Sequence, residues 1–117
     1  MGRFKRCHRL QEPSQFRRVF QAPQRAGDHL VTVLARANGL PQARLGLAVG
    51  RKRLARAIDR NTFKRIVRES FRAHQPALAG LDVVVLPKPA AARADRASLR
   101  VSIDRQWEIL RRRRDHG

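Results

Sequence analysis

Apolar residues recur along this chain with two different periods, and the switches between them set out its elements. In EPSQFRRVFQ, Phe16, Val19 and Phe20 stand three and four apart, one side of a helix whose first turn suits Pro13. APQRAG ends that helix. HLVTVLARA alternates weakly and is rich in Val and Leu, which predicts a strand over 29–37, and the turn residues NGLP follow. ARLGLAVG predicts a second strand over 43–50, so the pair reads as a β-hairpin. RKRLAR is a basic connection, after which 56–74 predicts the longest helix, stopped before Pro76. LDVVVLP, 81–87, is a continuous apolar run bounded by Gly80 and Pro87, as in a strand covered on both faces. KPAAARAD is a loop, and Ser98 to Arg113 predicts a last helix carrying Leu99, Val101, Ile103, Trp107 and Leu110. The order α-β-β-α-β-α predicts a single α/β sandwich domain over 1–117, a small central sheet with helices packed on it. A basic arm at 1–11 precedes it and a basic tail at 112–117 closes it.

Charge changes this picture from a fold to a partner. The 117 residues hold 27 Lys and Arg against 9 Asp and Glu, a formal net charge of +18. A field of that size opposes folding by self-repulsion and implies a polyanion, nucleic acid or an anionic membrane. Arginine supplies all but four of the cations, which favours phosphate, because its planar fork matches phosphate oxygens and stacks on bases. No apolar run approaches the roughly 18 residues of a spanning helix, and MGRFKRCHRL lacks a signal-peptide core, so no membrane is expected. One cysteine, Cys7, forms no internal disulfide and belongs to no zinc-type spacing; the expected compartment is the cytoplasm.

At about 100° per residue, the helix over 56–74 places Asn61, Lys64, Arg65, Arg68 and Arg72 on one face and Phe63, Ile66 and Val67 on the other, with Phe71 at the border. The five polar side chains span about 16 Å, enough to meet successive phosphates. A merely solvated face would mix signs for i,i+4 pairs, and here only Asp59 and Glu69 interrupt the cations. Asp59 is by chemistry the better N-cap, which leaves Asn61 either a second cap or a recognition residue. Phe16 and Phe20 are either a core staple or a wall on which unpaired bases stack. VGRKR, 49–53, and Lys88 stand at strand ends, as solvated turn residues or phosphate contacts. No Ser, His and Asp set and no carboxylate cluster points to catalysis or a metal on the protein, so no catalytic or metal residue is assigned.

LARAIDRNTFKRIVR, 54–68, resembles the signature of the bacterial ribonuclease P protein family at Ala57, Arg60, Asn61, Lys64, Arg65 and Arg68. The likeness extends through SQFRRVF, QRAG, RLGLAVGRK, ESFR and DVVVLPKP in order. Thr62 stands where a second Arg is common and Phe63 where a smaller aliphatic is usual. The chain also has no Tyr, so the strand around Val33 lacks an aromatic that some members carry. The resemblance implies a left-handed βαβ crossover around the long helix, a fold shared with the second domain of a small-subunit ribosomal protein. It also implies a ribonucleoprotein endoribonuclease that removes the 5′ leader of precursor tRNA, with one protein per RNA. The RNA subunit would be the catalyst and hold the Mg²⁺ ions, leaving no cofactor on the protein. Arg56, Arg60, Asn61, Lys64, Arg65, Arg68 and Arg72 would then face the RNA subunit, and Phe16, Phe20, Arg51, Lys52 and Lys88 would line a cleft for the single-stranded leader. The alternatives are a structural RNA-binding protein of ribosomal type without enzymatic role, a DNA-binding module and a protein-only nuclease.

Overall fold

The computed structural model of the chain describes residues 8–116. Residues 1–7 of the basic arm and Gly117 of the tail lie outside the described residues. Helix α1 (Pro13–Gln21) precedes strands β1 (Gln24–Gly27), β2 (Val31–Ala37) and β3 (Arg44–Leu47). Helix α2 (Ala57–His74) follows, then β4 (Leu81–Pro87) and α3 (Arg96–His116). Short 3₁₀ turns at Gln75–Leu78 and Pro89–Arg93 lead into β4 and α3.

The four strands run in the order β1-β2-β4-β3. β4 pairs antiparallel with β2 (Val33 opposite Val85) and parallel with β3 (Leu45 opposite Val83). The expected hairpin of the strands at 29–37 and 43–50 is therefore not formed, since β4 lies between them. Burial explains the insertion: all seven residues of β4 are buried, and the strand apolar on both faces takes the position that both faces cover. The chain reaches β3 from β2 through Asn38, whose N–H donates to the Gly80 carbonyl and whose Nδ2 donates to Asp82 Oδ1. A strand absent from the sequence reading, β1, pairs with β2 as an edge; only its Ala26 is buried, so it carries almost no apolar signal.

Alternation along the strands divides two cores. Val31, Val33 and Ala35 of β2 and Leu81, Val83 and Val85 of β4 face the layer of α2 and α3, with Phe63, Val67, Phe71, Ile103 and Trp107. Leu34, Val84 and Leu86 face α1 through Val19 and Leu10, with Phe16 packed against them. Trp107, fully buried, holds α2 to α3: its Nε1 donates to Ser70 Oγ at 2.7 Å and its ring meets Phe71 edge-on at 6.1 Å. Ser70 Oγ in turn donates to Asp104 Oδ1. Two helices thus cover one sheet face fully, while the nine residues of α1 cover only part of the other.

Candidate nucleic-acid interface

Helix α1 is set on the sheet from both ends. At its start Gln15 Oε1 accepts from the Glu12 N–H at 3.1 Å, and Pro13 fills the first turn. At its end Arg36 Nη1, from β2, donates to the Arg18 carbonyl at 2.8 Å, one of the carbonyls that a helix terminus leaves unpaired. Between them Val19 is fully buried, Phe16 is half-buried and Phe20 is 46% exposed. Phe16 and Phe20, one turn apart, thus differ in exposure: Phe16 packs on the sheet and Phe20 presents its ring to solvent.

The seat of the Phe16 ring is Gly46. A Cβ there would stand 2.5 Å from Phe16 Cε1, 2.8 Å from Cζ and 2.9 Å from Leu10 Cδ1, so the ring lies on bare backbone of β3. Sequence reasoning did not single Gly46 out, although a glycine inside a strand signals close approach. The N–H of Leu10 donates to the Leu45 carbonyl at 2.9 Å, extending the sheet past β3 with the last residues of the arm.

Parallel pairing of β3 with β4 sends the turn at 50–53 and Lys88 out from the same end of the sheet. Arg51 and Lys52 are exposed there. Lys88 is half-buried, and its Nζ donates to the Asp28 carbonyl at 2.5 Å, so it braces the turn between β1 and β2.

The basic ridge of α2 stands as expected. Phe63, Ile66, Val67 and Phe71 are buried, which moves Phe71 from the border into the core, while Asn61, Arg65, Arg68 and Arg72 are exposed and Lys64 is half-exposed. Among the described residues Lys64, Arg65, Arg68 and Arg72 have no acid within ion-pair distance, although Glu69 lies on the same helix. The arginines near the end of α3 differ: Arg111 lies 2.5 Å from Glu108 and 3.0 Å from Asp115, and Arg112 lies 3.6 Å from Glu108. Residues 112–116 of the tail thus continue α3 as a helix laced by ion pairs.

Arg56 and Arg60, also expected to face the RNA subunit, have structural roles. The helix begins one turn earlier than a cap at Asp59 requires: Arg56 is the N-cap, and Asp59 sits in the first turn, 3.9 Å from Arg56 Nε, where its charge suits the dipole. Asn61 therefore caps nothing and lies exposed on the first full turn. Arg60 Nη1 donates to the carbonyls of Leu54 and Ala55 at 2.9 and 2.8 Å, fixing the basic connection to the helix.

The ridge has two flanks. Lys64 and Arg68 line a recess of about 200 Å³ with Arg9, Phe16, Leu45 and Gly46, so these cations adjoin the α1 side of the sheet. Arg65 and Glu69 border α3 instead. Among the described residues no three His, Cys, Asp or Glu side chains gather as metal ligands, and no helix is long and apolar enough to cross a membrane.

The family model described as Ribonuclease P matches residues 4–111 of the chain. The ribonuclease P protein component of Methylococcus capsulatus is 46% identical over 110 residues, 94% of this chain and 86% of that one. The same component from Yersinia pestis is 47% identical over 104 residues, 89% of this chain and 87% of its own length. Among solved structures, the RNase P protein of Thermotoga maritima superposes with a TM-score of 0.75 at 32% identity, covering 89% of this chain and 96% of that one. The Staphylococcus aureus protein, at 24% identity and a TM-score of 0.80, shares the fold over 87% of this chain and 94% of its own.

Proposed function

The chain belongs to the ribonuclease P protein family, and we propose that its α2 ridge holds the RNA subunit while the cleft between α1 and the sheet holds the leader of precursor tRNA. As the protein component of ribonuclease P it serves tRNA 5′ processing with an RNA partner. The observation that carries the finer reading is the row of unpaired cations on α2 beside an aromatic wall that is only half closed. Unpaired arginines at helical spacing leave their forks to phosphates, and each phosphate met releases condensed counterions. Phe20 offers a ring face to a base without regard to its identity.

The two surfaces share an edge, because Lys64 and Arg68 line the recess that Phe16 also lines. One protein thereby touches the catalytic RNA and the strand to be removed, and its formal charge of +18 offsets the repulsion between two polyanions. We assign hydrolysis and its Mg²⁺ ions to the RNA subunit. The leader contact adds affinity for the precursor alone, so the mature tRNA, which lacks a leader, leaves readily.

Reconstitution with a bacterial ribonuclease P RNA tests this. Phe20→Ala should weaken precursor binding by roughly 5- to 150-fold, the worth of about 1–3 kcal/mol for one stacked base, and leave mature tRNA binding unchanged. Equal losses for both would return Phe20 to a packing role. In the same assay Lys64→Ala and Arg68→Ala should weaken assembly with the RNA subunit and lower its salt slope by about one unit each.

A further inference from the structure

On the side of α2 away from Phe16, α2 and α3 leave an open groove of about 390 Å³ lined by Arg65, Ile66, Glu69, Arg96, Ala97 and Arg100. A liquid water occupies roughly 30 Å³, so the groove admits a group much larger than one solvent molecule. Three guanidinium groups face it against one carboxylate. Among the described residues neither Arg65 nor Arg96 has an acid within ion-pair distance, and Arg100 uses only Nε on Asp104, at 3.0 Å, which leaves its terminal nitrogens uncommitted.

Where Arg96 stands is adverse for folding. It opens α3, at the end where the helix dipole is positive and a cation costs about 0.3–1 kcal/mol, while Arg100, one turn on, pairs with Asp104. The first turn of α3 holds no acid, and Asp95, whose Oδ1 accepts from the Ser98 N–H at 2.7 Å, caps the helix just before it. Stability alone would favour Glu or Asp at 96. Arg96 also lines the adjoining recess with Arg56, but Asp59 and Asp95 line it too, so the excess of cations lies in the α2–α3 groove.

We propose that this groove is a second phosphate site, in which Arg65, Arg96 and Arg100 hold a backbone phosphate of the RNA subunit on the flank of α2 opposite the leader cleft. The assignment rests on the ridge of α2 facing that RNA. Lys64 and Arg68 meet the RNA subunit on one flank and Arg65 turns to the other, so α2 lies between two of its backbone segments. Glu69 opposes an anion in the groove and is outnumbered three to one, which disfavours a second phosphate there.

Binding of the full chain to the catalytic RNA, measured over a salt series, tests the site, followed by precursor binding to the assembled holoenzyme. Arg96→Ala should weaken binding to the RNA subunit and lower the salt slope by about one unit, Arg96→Lys should restore the slope, and precursor affinity should not move. Glu69→Gln should tighten binding to the RNA subunit. A slope unchanged by Arg96→Ala, or a loss seen only with precursor tRNA, overturns the groove. If Lys64→Ala and Arg68→Ala still lower the slope in that case, the ridge stands and the groove alone falls; if none of the three does, the ridge falls with it. Arg96 is exposed, and its removal relieves the dipole, so the variant keeps its fold.

Discussion

Asp28 ties the turn between β1 and β2 to the rest of the molecule. Its Oδ1 accepts the N–H groups of Leu30 and Val31 at 2.8 and 3.1 Å, and its Oδ2 accepts Ser102 Oγ from α3 at 2.5 Å. Burial pushes its carboxyl pKa up, but the bonds from Ser102, Leu30 and Val31, together with the charge of His29, outweigh burial and hold it below the ordinary 3.8. A carboxyl lowered in the folded state stabilises at pH above its unfolded value and loses that contribution as pH falls through the folded one. Asp28→Asn should therefore cost about 1 kcal/mol in urea melts at pH 7, with the gap to the parent closing below about pH 3.8. A gap independent of pH would mean that the carboxylate charge contributes nothing. Lys88 and Arg60 show the same economy, each donating to backbone carbonyls. The Lys88 contact joins residues 60 apart in the chain, so spacing alone reads Lys88 only as a cation at a strand end.

At the scale of elements, α1 and β3 meet through one missing side chain. Gly46→Ala would set a methyl within 3 Å of Phe16 and Leu10, and something must shift. Overpacking of this kind costs about 1–3 kcal/mol, and the half-buried Phe16 ring is the part with room to move. Gly46→Ala should thus lower stability in denaturant melts and weaken precursor binding, while RNA-subunit binding by α2 holds; an intact precursor preference would remove Phe16 from the cleft. This junction marks what was legible. Periods of 3.6 residues and an unbroken apolar run exposed α1, α2 and β4 because each buries a continuous side: the strand expected at 81–87 is β4 itself, and the helix expected at 56–74 is Ala57–His74. β1 and the pairing order were hidden, since an edge strand buries one residue in four and nothing local distinguishes a hairpin partner from a strand that admits another between. The ridge was readable from its wheel. The α2–α3 groove was not, because it takes Arg65 from one helix and Arg96 and Arg100 from the other.

Across the whole molecule two electrostatic effects oppose each other, and salt separates them. The surface ion pairs of α3, such as Arg111 with Glu108 and Asp115, each contribute about 0–1 kcal/mol, and screening weakens them. Against them stands the repulsion of a net +18, most of it carried by a fold with extents of 36 × 27 × 26 Å. At about 0.01 M salt the Debye length is about 30 Å, comparable to those extents, so every unpaired cation feels the others; at 0.15 M it is about 8 Å and only neighbours interact. Partners within 4 Å, as in the α3 pairs, sit inside even the shorter length, whereas most of the repulsion acts beyond it. Salt should therefore remove more repulsion than attraction. The melting temperature of the free protein should rise between about 0.01 and 0.15 M salt, as followed by calorimetry without RNA. A fall over that range would show local pairs outweighing the global field. Adding the RNA subunit at low salt should raise the melting temperature further, because the polyanion neutralises the same charges and binds only the folded ridge.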